Sequence, residues 1–271
     1  MRPSSRAWAK ILLDKLPSPL NSAVLMRYRH WRSRSTHRDF FLVHRKLGGR
    51  WLGLGGPFAG MKHVRCGFGG CTINRLLGLY ESELHESVDR LRRWRPDRIV
   101  NIGAAEGYYA VGLTNLMPNA AVIAFEGDEF ARFLLRKAVA ANDLAENVEI
   151  RGWCGISSLE SALDGYSRPS LFVDCEGFED ELLDPIKVPA LRHAAIIVEL
   201  HDMFVPGVDE TIRERFEKTH EIVEICSGFK RKCECAAAEV LTEREFSLIV
   251  EEHRGHEIMK WYSMWPSVTG E

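Results

Sequence analysis

The stretch "RIVNIGAAEGYYAVGL", Arg98 to Leu113, decides the fold. A short β-branched run stops at Gly103, Gly107 follows four residues later, and a helical pattern begins. That is the order strand, glycine turn, helix. Glycine allows a positive φ and puts no Cβ in the way of an approaching group. Amides at the start of the next helix are donors for an anion.

Outward from this unit the pattern repeats. Spacing predicts strands over 98–102, 121–125, 148–151, 171–173, 194–200, 221–226 and 256–263. Helices are expected over 107–116, 129–142, 157–163, 179–183, 209–219 and 243–252. Short apolar runs alternating with helical periods indicate βαβ units and a doubly wound, mostly parallel α/β sheet of seven strands. Upstream, Leu84, Val88 and Leu91 give one stripe on a helix from about residue 81 to 94. Residues 76–271 are therefore expected as the sheet domain. Residues 1–75 are expected as an extension made of an amphipathic helix over 4–16 and a glycine-rich hairpin or loop over 47–60. That loop lacks the GK[ST] of a phosphate-binding P-loop.

Composition narrows the class. With 271 residues, 45% of them hydrophobic, the chain suits one large domain with an extension. The seven cysteines are odd in number and form no CxxC pair. This predicts reduced thiols and a cytoplasmic location. Cys226, Cys233 and Cys235 lack a fourth ligand at zinc-like spacing. No apolar run approaches the ~20 residues of a membrane span, and the longest near the N-terminus is too short for a secretory signal. Net charge is -2, but residues 1–50 hold twelve of the 36 Lys and Arg and only two acids. Within them lies "RYRHWRSRSTHR" (27–38), a basic run with interleaved aromatics. It reads as a solvated arm, or as a contact for anionic lipid at a membrane surface, polysaccharide or nucleic acid.

In doubly wound sheets, ligands sit beyond the carboxyl ends of the strands. Gly103 and Gly107 therefore mark a cofactor loop. Their spacing, GxxxG, lacks the third glycine of the dinucleotide fingerprint GxGxxG. Glu126 follows the second strand, and a carboxylate there can accept both hydroxyls of a ribose. Further on, "SLFVDCEGFEDELLDP" (170–185) ends a strand in Asp174 and continues with Glu176-Gly177 and a short acidic helix.

Together these motifs resemble the FkbM-type family of class I S-adenosylmethionine-dependent methyltransferases. The family's loop like DVGANxGYY is matched by Asn101 to Tyr109. Its segment like KIDVEGxExxVL is matched by Val173 to Glu179 with Leu182-Leu183, and its strand like IIxEIH by Ile196 to His201. The resemblance covers roughly residues 80–205. It implies a Rossmann-like methyltransferase domain with S-adenosylmethionine as cofactor, and sugars, glycans or secondary metabolites as acceptors. Asn101, Gly103, Ala104, Glu106 and Gly107 would surround the methionine part, Glu126 the ribose, and Trp153 and Cys154 the adenine. Asp174 and His201 are the candidates to orient or deprotonate a hydroxyl acceptor. Asp174 reads alternatively as a helix cap, and His201 equally as a structural histidine. Asp174, Glu199 and Asp202 could offer oxygens to Mg²⁺.

Two positions depart from the family. Asn101 replaces an aspartate and has no full charge for an ammonium group. Gly152-Trp153-Cys154 stands where many class I enzymes carry an acid against adenine. Tyr80 and Glu81 either close over the cofactor or form a helix turn. No NPPY-like motif is present, which favours an oxygen acceptor over a nitrogen one. The basic extension would suit an anionic acceptor or a homodimer contact. Two readings from other classes stay open: a non-catalytic binding module on the same fold, and a nucleic-acid methyltransferase guided by the basic arm.

Overall fold

The computed structural model describes residues 43–65, 72–228, 230–250 and 258–267. The helix expected over 4–16, the basic run 27–38, Cys66 and Cys71 lie outside the described residues. In chain order the elements are α1 (Thr72–Leu77), a 3₁₀ turn Ser82–Leu84, α2 (His85–Trp94), β1 (Arg98–Ile102), α3 (Tyr108–Leu116) and β2 (Ala121–Phe125). Then come α4 (Glu129–Ala141), β3 (Val148–Arg151), α5 (Ile156–Leu163), β4 (Pro169–Val173), α6 (Glu179–Leu182) and β5 (Ala195–Leu200). The chain continues through α7 (Val208–Phe216), β6 (His220–Cys226), α8 (Glu243–Val250) and β7 (Lys260–Pro266).

Seven strands form one sheet in the order β3-β2-β1-β4-β5-β7-β6. The pairs from β3 to β5 are parallel, and β7 runs antiparallel between β5 and β6. This is the Rossmann-like, doubly wound, mostly parallel architecture that the alternation predicts. Strands β1, β4 and β5 are buried along their whole length, as parallel strands covered on both faces must be. Alternate residues serve opposite faces. Ile99 packs with Leu113 and Leu135 on the side of α2, α3 and α4, whereas Val100 and Ile102 pack with Leu159, Leu182 and Ile212 on the side of α5, α6 and α7. Strand order reverses between β1 and β4, so a crevice opens above their carboxyl ends.

Two elements depart from the periodicity. The last strand spans Lys260–Pro266 rather than 256–263, because its pairing with β5 and β6 buries Trp261, Tyr262, Met264 and Trp265. Helix α1 is not evident from spacing. Its Ile73, Leu76 and Leu77 pack against Cys235, Leu241 and Phe246, far along the chain. The boundary expected after residue 75 falls inside α1. Before it, an antiparallel bridge between Leu52 and Lys62 closes a hairpin-like loop. Phe58, at its tip, sits in the same core as Ile99 and Leu113. A Cβ at Gly112 of α3 would lie 2.5 Å from the Phe58 ring, so that glycine makes room for the phenyl group.

Candidate active site

A cavity of about 620 Å³ opens above the carboxyl ends of β1 to β4, within the range of small-ligand pockets. It is built from loops that the sheet brings side by side. Gly103 leaves β1 at φ 77°. The Gly103 and Ala104 amides donate to the Phe125 carbonyl at 3.0 and 2.9 Å, and the Asp174 amide donates to Ile102 O at 3.0 Å. A Cβ on Gly103 would stand 1.6 Å from the Asp174 carbonyl oxygen. The glycine is thus required by the neighbouring main chain, where β1 and β4 end together. Ala105, Glu81 and Glu176 also adopt positive φ, at 46°, 45° and 57°. Each such residue stores of order 1–3 kcal/mol of strain, a mark common at functional sites.

The carboxylate of Glu126 is held at the mouth of this cavity. One oxygen accepts from the Ala105 amide and the other from the Asp128 amide, both at 2.7 Å. Each oxygen keeps a lone pair for a further donor. Asp128 in turn caps α4 by accepting from the Phe130 and Ala131 amides. Trp153, which follows β3, is 62% exposed and meets Phe178 edge-on with ring centroids 4.7 Å apart. Gly127 underlies the indole; a Cβ there would come within 3.2 Å of it. Cys154 faces the hydrophobic core as well as the cavity. Burial pushes its thiol up to about 12, which makes it a packing group rather than a nucleophile.

Of the residues expected around a cofactor, Gly103, Glu126, Trp153 and Cys154 line the cavity. Asn101, Ala104, Glu106 and Gly107 do not. Asn101 is buried and donates from Nδ2 to the Phe172 carbonyl at 3.2 Å. Ala104 belongs to the core, and Gly107 caps α3 at φ 95°. Glu106 turns to the far side of the loop and forms a buried ion pair with Arg75. Arg75 itself lines the cavity, as does Tyr80. Tyr80 is in view from the sequence. Arg75 is not, since no local pattern signals a pairing across thirty residues. Glu81 does not line the cavity; it accepts from the Tyr109 hydroxyl at 2.5 Å.

Asp174 lines the cavity's β4 side; His201 is not among the lining residues and is buried beside Asp174. Fully buried Glu179 organises this corner. It accepts from the Gly177 amide at 3.1 Å and the Cys175 amide at 3.3 Å, and lies 2.8 Å from His201 Nδ1. An ionised carboxylate can only accept, so the proton of neutral His201 sits on Nδ1. Its Nε2 then faces Asp174 at 3.6 Å and Glu176 at 3.7 Å. Burial alone would lower the pKa of His201. The hydrogen bond and charge of Glu179, with Asp174 and Glu176, outweigh it and hold the ring above its ordinary 6.5. For Glu179, burial raises and His201 lowers, with a net fall below 4.5.

The donor atoms of Asp174, Glu176 and His201 lie within 4.8 Å of one another and could hold a cation. This differs from the set expected from sequence. Asp202 turns towards Lys260 at 3.9 Å, and Glu199 is buried on β5. A set containing imidazole is also less suited to Mg²⁺ than one of oxygens alone.

No protein-family model and no curated protein matches the sequence. Among solved structures, the chain is similar in shape to precorrin-6y C5,15-methyltransferase from Geobacter metallireducens, at 14% identity and TM-score 0.46, over 68% of this chain and 89% of that one. It is similar to the O-methyltransferase from Bacillus cereus in complex with SAH, at 13% identity and TM-score 0.43, over 68% and 80% of the two chains. It is also similar to the O-methyltransferase TomG from Streptomyces achromogenes, involved in tomaymycin synthesis and in complex with SAM, at 13% identity and TM-score 0.44, over 69% and 80%. None of these lends a residue role to this chain.

Proposed function

We propose that the chain is a class I methyltransferase of FkbM type that uses S-adenosylmethionine and methylates a hydroxyl of a sugar, glycan or secondary metabolite. One observation carries the reading most. Glu126, Trp153 and the Gly103 turn come from three adjacent strand ends and face one cavity that continues to Asp174. The chemistry of these groups fits the cofactor. Glu126 has lone pairs aimed for two ribose hydroxyls, and Trp153 offers an exposed ring for a purine.

When bound, S-adenosylmethionine supplies a methyl carbon made electrophilic by its sulfonium. The chain's own part is alignment and proton removal. An acceptor hydroxyl lodged between Asp174 and His201 would donate to one and be oriented by the other. His201 Nε2 takes the proton, and Glu179, bonded to Nδ1, stabilises the imidazolium that results, as the orienting acid of a catalytic triad does. Because the pKa of His201 is raised, this base is available only as pH climbs past that value. Turnover should therefore rise with pH through a value above 6.5, the ordinary value of the ring.

Calorimetry with S-adenosylhomocysteine tests the reading. Wild-type protein should bind, and Glu126→Gln should bind on the order of tenfold to a hundredfold more weakly, the range for hydrogen bonds to a charged group. Absence of binding at millimolar ligand would remove the methyltransferase reading and leave a binding module of the same fold.

A further inference from the structure

We propose that Arg75, carried by α1 upstream of the whole sheet, is the anion-binding group of the cavity and holds the carboxylate of the cofactor's amino-acid tail. This rests on the cofactor reading above and adds a residue that neither the motifs nor the fold assigns. The order of the strands sets the ligand's path. Trp153 follows β3 and Glu126 follows β2, so a nucleoside with its base at Trp153 and its ribose at Glu126 extends next over the end of β1. The loop there is Gly103 to Gly107, and Arg75 stands against it. Its guanidinium is paired with Glu106 of that loop and lies 4.4 Å from the Tyr80 ring centroid and 5.4 Å from that of Tyr108.

Charge makes the choice specific. Among the described residues lining the cavity, Arg75 is the sole Lys or Arg, against Glu126, Asp128, Asp174 and Glu176. A ligand with a sulfonium and an ammonium meets carboxylates on most sides. Its own carboxylate is repelled by those groups and has one cationic partner. A guanidinium has five N–H donors in a planar fork, so one such group can serve two carboxylates at once. Arg75 is only 8% exposed, where water screens little. Glu106 keeps that buried charge compensated and fixes its position. His63, in the small space behind, adds no rival cation, because burial and the Arg75 charge lower its pKa to about 4. Glu106 is thus a positioning residue, acting through Arg75.

Two ligands separate this role from mere packing. S-adenosylhomocysteine carries the amino-acid tail, and 5′-methylthioadenosine is the same adenosine thioether without it. Both are titrated calorimetrically into the full chain as wild type, Arg75→Lys, Arg75→Met and the double variant Arg75→Met with Glu106→Met. The double variant replaces the buried pair by apolar groups of similar length, which folded proteins tolerate. Arg75→Met and the double variant should lose about tenfold to a hundredfold in affinity for S-adenosylhomocysteine. They should bind 5′-methylthioadenosine as wild type does, and Arg75→Lys should fall between. Equal losses for both ligands, or no loss for either, would overturn the assignment. Wild type binding both ligands equally overturns it alone. Wild type binding neither overturns it together with the cofactor reading.

Discussion

The two ends of the cavity are rigid for opposite reasons. At the β1–β2 end, main-chain amides do the holding: Gly103 and Ala104 donate to the Phe125 carbonyl, and the Ala105 and Asp128 amides fix the Glu126 carboxylate. At the β4–β5 end, one buried carboxylate does the gathering, since Glu179 collects His201 and the amides of Cys175 and Gly177. The first end should therefore be intolerant of added volume. The second should tolerate changes of shape better than loss of a charge.

The sharpest way to break this contrast is at Gly103. Alanine there must accept φ 77° and a Cβ 1.6 Å from the Asp174 carbonyl oxygen. Neither can relax without parting β1 from β4, so Gly103→Ala should lose about 4 kcal/mol or more, a size that calls for a named structural cause. Gly152, in the loop after β3, has nothing within 4 Å of its Cβ position, and Gly152→Ala should stay within about 0.5 kcal/mol. Urea unfolding of both variants decides the point. Similar losses at the two glycines would mean that strand-end packing does not govern this end.

The same contrast explains what could be read from sequence. The strands at 98–102, 121–125 and 148–151 were legible to the residue: the first two because buried strands are apolar runs bounded by turns, and the edge strand 148–151 because Val148 and Ile150 alternate with charged residues. Gly103 and Glu126 were legible because they sit at those strand ends. The remaining parts depend on distant partners. Helix α1 is only six residues long, and its apolar side is completed by Leu241 and Phe246. Glu106 looks from its loop like a group facing a ligand, but its direction is set by Arg75, thirty-one residues upstream. The final strand lies in a long apolar alternation whose bounds only β5 and β6 define. Glu179 was visible as part of a motif, yet its part in orienting His201 needed β5 beside it.

Glu179 is the place to sharpen the contrast from the other end. Glu179→Ala leaves the buried His201 Nδ1–H and two partly buried amides without their acceptor and should lose roughly 3 kcal/mol, as removing one partner of a buried pair does. Glu179→Gln keeps an acceptor oxygen in the same place and should lose about 1–2 kcal/mol. It should also let the His201 pKa fall, which an NMR titration of the ring would follow. Equal losses for the two variants would assign the effect to shape and erase the difference between the ends of the cavity.

The smallest effect is in the pH dependence, and its sign follows from the directions in which the two pKa values move. His201 has a folded pKa above 6.5, so its contribution is complete below 6.5 and is lost as pH rises through the higher value. Glu179 has a folded pKa below 4.5, so its contribution is complete above 4.5 and is lost as pH falls through the lower value. The pair is therefore most stabilising between those two unfolded-state values. The stability gap between wild type and Glu179→Gln should be widest there and narrow towards alkaline pH, as the His201 contribution is lost. The gap between wild type and Gly103→Ala, which involves no titrating group, should stay level over the same range. A level gap for both variants would show that His201 and Glu179 do not exchange charge stabilisation. The β4–β5 end would then be held by hydrogen-bond geometry alone, like the β1–β2 end.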